Sequence, residues 1–386
     1  MKRISLWKSL LAFMIVTPML ASAADWQSEP IVGPFDGFST TLVSYGGSNL
    51  AAFVRRSNDS IWYRLKTNGT WGPWIDMQVC SFMAPQVASW GPNHIAVVVL
   101  GCSTTTLKYK MFDGTSWSPT WTSISGKYNT YPSIVSLGVG QLTMAVVGTN
   151  DNVYTLDFNN GAWGTPLDHN INSSGSAKII VTGPNQVAVF MADMQDIAQI
   201  RYRVRTAGNW NSWANIGGDL VVLRPGLCEV SGKGGGFAPT SWGNGHMAVF
   251  ASKSGTLQLR QYINGSWTSW ALVPGVREVP TILRAPPKSA KVGQLDVFYS
   301  DTREFCDKTE EDFRLLHSRL EGAEWTTGVL QSGRPRLRGI SNPIAIGPGR
   351  MSVFAGTDAS TNLTHYFENA PQTQPWLPAL LQILFE

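Results

Sequence analysis

The stretch KTNGTWGPW, residues 66–74, joins a two-residue turn signal, Asn68-Gly69, to two tryptophans. Asn-Gly between strand-like runs marks a hairpin whose two turn residues both take positive φ. The phrase returns as FDGTSWSPTW ending at Trp121, TAGNWNSW ending at Trp213 and INGSWTSW ending at Trp270. The first tryptophans of the series are Trp71, Trp117, Trp163, Trp210, Trp267, Trp325 and Trp376. They stand at first about 46 and later up to about 58 residues apart, the period of propeller blades or solenoid repeats.

Each interval holds four short pieces. In the second they are PQVASWG, HIAVVVLG, TLKYKMF and SWSPTWTSI; in the fifth, FAPTSWG, HMAVFAS, TLQLRQYI and SWTSWALV. These runs are of strand length, rich in β-branched and aromatic residues, and bounded by turn residues. Four antiparallel strands per repeat make a propeller blade, so the expected fold is an all-β, seven-bladed β-propeller in one domain, 24–386. The expected blades are 36–77, 85–124, 131–169, 177–218, 237–275, 279–331 and 341–381. The N-terminal WQSEPI reads as a fourth strand with no repeat before it, so strand 25–31 is expected to close the ring; QPWLPALL near Trp376 is the alternative. A fourth strand is an exposed edge, and its tryptophan protects that edge by packing on a neighbour.

Lys2 and Arg3, the apolar run from Leu10 to Val16 and the small-residue site Ala21-Ser22-Ala23 read as a signal peptide, 1–23, cut after Ala23. The mature chain is therefore expected to be secreted or periplasmic, with no membrane insertion after cleavage. Charged residues make up 15%, against 38 Gly and 16 Trp, a composition that favours a turn-rich β protein. The net charge of +4 is scattered along the chain, which argues against nucleic acid as a partner.

The four cysteines of an exported chain read as disulfides. No CxxC pair and no Cys/His cluster at ligand spacing occurs, so no metal and no cofactor are expected. Cys80 falls in the loop leading into blade 2 and Cys102 in that blade's loop between strands two and three. Both loop types lie on one face, so Cys80–Cys102 is the expected pair. Cys228 and Cys306 occupy the corresponding loop types of blades 5 and 6 and are paired by the same reasoning.

The segments ASWGPNHIAVVV (88–99) and TSWGNGHMAVF (240–250), with looser copies TGPNQVAVF and IGPGRMSVF, resemble the bacterial PLL-type fucose-binding lectins and the wider tectonin-like repeat proteins. The likeness runs through nearly all of the mature chain. It implies a seven-bladed ring with glycan sites in clefts between blades. Glycans or glycoconjugates are the partners this suggests; whether the ring oligomerises is open.

Seven residues before each first tryptophan stand Arg64, Lys110, Leu156, Arg203, Arg260 and Ser318, and two residues earlier Trp62, Lys108, Tyr154, Arg201, Gln258 and Leu316. These share one strand face, polar and rich in long donors, while Tyr63, Tyr109, Thr155, Tyr202, Leu259 and His317 lie between them. Sugar binding wants an aromatic face for the C–H surface of a pyranose and donors for its hydroxyls. The candidate ligand residues are therefore Trp62 and Arg64 in blade 1, Tyr109 and Lys110 in blade 2, Tyr202 and Arg203 in blade 4, and Arg260 with Tyr262 and Trp242 in blade 5. Blade 3, with Leu156, is expected to carry no site.

Catalysis finds little support. FDGTSW is similar to the Asp box of sialidases, but such turns are structural, and no arginine triad or Tyr/Glu nucleophile pair accompanies it. The carboxylates Asp301, Glu304, Asp307, Glu310, Glu311 and Asp312 crowd one loop, and no GxSxG occurs. The leading reading is a multivalent exported lectin without enzymatic activity. The alternatives are a non-catalytic interaction scaffold of the periplasm or cell surface and a sialidase-like carbohydrate-active enzyme.

Overall fold

A computed structural model of the chain describes residues 26–33, 39–159, 161–195, 199–217, 237–243, 245–253, 256–273, 282–283, 288–289, 291, 293–300, 314–332, 337–357 and 363–369. The expected signal peptide, 1–23, Cys228, Cys306, the acidic stretch 301–312 and Trp376 lie outside the described residues. Every regular element among those described is a strand, and the strands form seven antiparallel sheets, the blades of a β-propeller.

Blade 1 shows the plan. Its first three strands are Ser39–Gly46, Asn49–Arg55 and Ser60–Thr67, and its fourth comes in two pieces, Thr70–Trp71 and Ile75–Cys80, both paired with the third. The turn between strands three and four has φ of 51° at Asn68 and 82° at Gly69. Both residues take the left-handed conformation that Asn and Gly tolerate best. The seventh sheet is assembled from both ends of the described chain. Its outermost strand is Trp26–Ile31, antiparallel to Leu363–Glu368 from Trp26↔Glu368 to Ile31↔Leu363. This N-terminal strand completes blade 7 and closes the ring.

The core lies between blades rather than inside any one of them. Val43, Phe53 and Ile61 of blade 1 pack with Ile95, Val97 and Phe112 of blade 2. Likewise Leu42, Leu50 and Val54 of blade 1 pack with Ile31, Phe354 and Leu363 of blade 7. Both faces of each sheet are thus covered, which explains why second strands such as HIAVVVL and QVAVFMA are apolar without alternation. One register position on the second strand carries Phe53, Phe190, Phe250, Phe298 and Phe354, all fully buried. Each contributes about 1.5–3 kcal/mol through burial.

Backbone hydrogen bonds tie neighbouring blades at their first hairpins. The turn amides of Asn93, Gly140, Gly245 and Gly293 donate to the carbonyls of Tyr45, Trp90, Thr182 and Trp242, each in the preceding blade. On the other face Cys80 and Cys102 form a disulfide with Cα atoms 5.4 Å apart. Cys80 is the last residue of blade 1's fourth strand and Cys102 follows Leu100 of blade 2, so the bond joins two blades.

Candidate functional site

The sequence alignment of third strands holds in the folded register. Arg64, Lys110, Leu156, Arg203, Arg260 and Ser318 pair with Ala52, Val97, Met144, Val189, Val249 and Val297, one position in six successive blades. What differs is the surroundings that each blade supplies.

In blade 1 the Arg64 guanidinium lies 5.2 Å from the ring centre of Trp71 and 5.3 Å from that of Trp74. Trp71 ends the first piece of the fourth strand and Trp74 lies in the break before the second, so the Asn68-Gly69 turn brings both beside Arg64. Nη1 of Arg64 donates to the Val32 carbonyl at 3.4 Å, and Trp74 Nε1 donates to the same oxygen at 3.0 Å. Val32 follows the closing strand of blade 7, so the cleft lies between blades. A Cβ at Gly33 would sit 2.0 Å from Trp74 Nε1, so the indole can cover that backbone only because residue 33 is glycine. Arg64 Nε is buried without a hydrogen-bond partner among the described residues. Trp62 packs in the same interblade cluster, and its indole N–H donates to Ser60 Oγ at 3.1 Å.

Glu29 stands beside this cleft. Its Oε1 accepts from Lys66 Nζ at 2.8 Å, Trp71 Nε1 at 3.1 Å and His365 Nδ1 at 2.7 Å. Burial pushes the carboxyl's pKa up, but these hydrogen bonds outweigh it and hold the group down at about 2.

Blade 4 repeats the cationic sandwich, with the Arg203 guanidinium 5.4 Å from each of Trp210 and Trp213. Its Nη2 donates to the Asn211 carbonyl at 2.6 Å, its Nη1 meets His169 Nδ1 of blade 3 at 3.0 Å, and its Nε is buried without a partner among the described residues. In blade 5 the Nε of Arg260 donates to the Thr268 carbonyl, between Trp267 and Trp270 in the chain. A Cβ at Gly217 of blade 4 would lie 3.1 Å from Arg260 Nη1, which places this arginine against blade 4. In blade 2 Lys110 Nζ lies 5.9 Å from the Trp121 ring, whose N–H donates to the Met77 carbonyl of blade 1 at 3.0 Å. Leu156 of blade 3 is buried in an apolar cluster with Trp163, and Ser318 of blade 6 is buried against Tyr299 and Thr327.

Trp62 lies with Arg64 as expected, but three of the other four aromatic partners expected for these cations lie elsewhere. Successive residues of a strand point to opposite faces, so each cation faces the preceding blade and the tyrosine beside it faces the following one. Tyr202 is 9% exposed, stacked on Phe190 at 5.6 Å, and packed with blade 5. Tyr109 packs towards blade 3, with Phe158 at 6.1 Å and Trp163 at 6.5 Å. Trp242 is 9% exposed and buried against Leu295 and Val297 of blade 6, whereas Arg260 faces blade 4. Tyr262 does share the interface of Arg260, where it packs on Trp267 at 5.3 Å. Tyr109, Tyr202 and Trp242 therefore do not line the clefts of the cations they were grouped with.

The walls of these clefts are the fourth-strand tryptophans, which the sequence offers as edge seals, and residues of the preceding blade. His169 occupies a position where other blades carry Met77, Ile124, Ile216 and Val273. That single polar residue in an otherwise apolar series is the signal by which it could have been found.

No protein-family model matches the chain, and no curated protein matches it. Solved structures do. The BP39L lectin from Burkholderia pseudomallei is 16% identical with a TM-score of 0.62, over 87% of this chain and 98% of that one. AofleA from Arthrobotrys oligospora is 12% identical with a TM-score of 0.50, over 80% and 91%. The SapL1 lectin, solved in complex with α-methyl fucoside, is 12% identical with a TM-score of 0.50, over 78% and 98%. At such identities these likenesses speak for the fold.

Proposed function

We propose that this protein is a non-enzymatic carbohydrate-binding lectin of the PLL type, and that its sugar sites are the clefts on the preceding-blade side of Arg64, Arg203 and Arg260, with Lys110 forming a lesser one. The observation that carries the reading is the recurrence, at one register position, of a cation held beside fourth-strand indoles at a blade boundary. Half-buried indole edges offer C–H/π contact to a pyranose, and the guanidinium donors reach its hydroxyls. The Nε atoms of Arg64 and Arg203, buried without a partner among the described residues, supply N–H groups that gain from an acceptor. Several weak sites on one ring gain by avidity on a glycan-bearing surface. The likeness to lectins, one of them solved with a fucoside, makes fucosides the first probes.

The chain is proposed to act after export, with its signal peptide removed at Ala23 and a second disulfide between Cys228 and Cys306. A glycan array that includes α-methyl fucoside tests the function. The wild type is expected to bind, and the triple variant Arg64→Ala, Arg203→Ala, Arg260→Ala to stay folded, as its β-sheet circular dichroism and a cooperative melt would show, and to lose binding. Full binding by the folded triple variant would overturn the assignment. Turnover of a chromogenic glycoside panel is expected to stay at background.

A further inference from the structure

A different cleft opens between blades 2 and 3, beside the first hairpins and apart from the arginine sites. It encloses about 540 Å³ and is lined by Trp90, Met111 and Phe158 together with His94, Asp113 and Gln141. Its volume is in the range of small-molecule sites. Trp90 and Phe158 lie 6.1 Å apart and belong to one interblade cluster with Met111, which gives the cleft an aromatic and apolar floor.

Its polar chemistry is the reverse of that in the arginine clefts. Among the described residues no lysine or arginine lines it, and Asp113 is its only carboxylate. Oδ1 of Asp113 accepts the backbone amides of Thr115 and Ser116 at 2.8 Å each, which lowers its pKa and fixes the carboxylate at the rim. His94 Nδ1 lies 2.6 Å from the Pro92 carbonyl, so Nδ1 carries the hydrogen and Nε2 is left as an acceptor in the neutral ring. The indole N–H of Trp90 is buried with no partner among the described residues. Val139, on the rim, is 76% exposed. An aromatic floor attracts a cation through its quadrupole, and a fixed carboxylate adds a direct ion pair.

We infer that this cleft is a second ligand site that takes pyranosides bearing a free amine, the ammonium on Asp113 and the apolar sugar face over Trp90 and Met111. The site stands on its own residues and does not depend on the arginine clefts being sugar sites.

Titration calorimetry with D-glucosamine, D-glucose and N-acetyl-D-glucosamine tests it, on the wild type, on Asp113→Asn and on the triple arginine variant. Asparagine keeps a side-chain oxygen for the Thr115 and Ser116 amides and removes only the charge. Asp113 is exposed, and glucosamine is expected to bind roughly two- to fivefold more tightly than the two neutral sugars. That preference is expected to vanish in Asp113→Asn and to persist in the triple arginine variant. Equal affinity for all three sugars, no binding of glucosamine, or an amine preference that survives Asp113→Asn would each overturn the proposal. Loss of the preference in the triple arginine variant, with Asp113 intact, would place the amine site in the arginine clefts and overturn it as well.

Discussion

Nη1 of Arg203 lies 3.0 Å from Nδ1 of His169, across the boundary between blades 4 and 3. A guanidinium can only donate, so His169 Nδ1 accepts and its Nε2–H donates to Thr155 Oγ1 at 2.9 Å. The contact requires a neutral imidazole. Burial, reinforced by the Arg203 charge, lowers the His169 pKa from 6.5 to about 4. Burial also lowers that of His365 to about 4, against the opposing pull of its Glu29 hydrogen bond.

The sign of the acid effect follows. Both folded-state values lie below the unfolded value of 6.5, so between pH 6.5 and about pH 4 the unfolded chain binds protons that the folded chain refuses. Stability is present in full above that window and falls through it, by on the order of 3 kcal/mol for each histidine. Melting temperature is expected to decline steadily over this range, and His169→Gln to remove part of the decline. A flat profile down to pH 4 would contradict the assignment.

Glu29 holds the closing strand to both of its neighbours through Lys66, Trp71 and His365. Its pKa, about 2, lies below the ordinary 4.5, so its contribution is present above pH 4.5 and fades as pH falls towards 2. Glu29→Gln is expected to cost about 2 kcal/mol in urea denaturation, the scale of hydrogen bonds to a charged group. Amide exchange should accelerate first in Trp26–Ile31 and Leu363–Glu368. Uniform acceleration around the ring would show that ring closure does not depend on Glu29.

The Cys80–Cys102 bond closes a loop with a sequence separation of 22 residues. The double variant Cys80→Ser, Cys102→Ser is expected to lose about 3 kcal/mol, chiefly because the unfolded chain regains conformational freedom. Denaturation of the variant beside the oxidised wild type measures this. Non-reducing peptide mapping should recover the Cys80 and Cys102 peptides joined.

The arginine clefts belong to separate blade boundaries and share no partners, so their effects should add. Each of Arg64→Ala, Arg203→Ala and Arg260→Ala is expected to lower calorimetric stoichiometry for the best array ligand by one site and leave the remaining affinity unchanged. A single variant that abolishes all binding would point to one dominant site instead.

Much of the architecture is written in the repeat. The recurring Asn-Gly or Asp-Gly turn and the Trp-x-x-Trp phrase define the period, and the alignment that places Arg64, Lys110, Leu156, Arg203, Arg260 and Ser318 in one column is the folded register. The site was legible only in part. Arg203 and Tyr202 read as one group because they are neighbours in the chain, yet they face different blades. His169, the partner Arg203 meets, lies in the preceding repeat, where nothing local marks it except a departure from apolar residues.

By itself the sequence determined the blade, its four strands, its turns, the Cys80–Cys102 pair and the column of cations. The tertiary structure decided which aromatic rings face those cations and where the Trp90 cleft opens, and it settled the expected closure by residues 26–31, beside Leu363–Glu368, over the C-terminal alternative. The reason is that a propeller covers both faces of every sheet. In a sheet with one wet face, alternation would reveal which side chains remain accessible. Here Tyr202 and Arg203 both turn towards protein, and only the packing of adjacent blades distinguishes core from cleft.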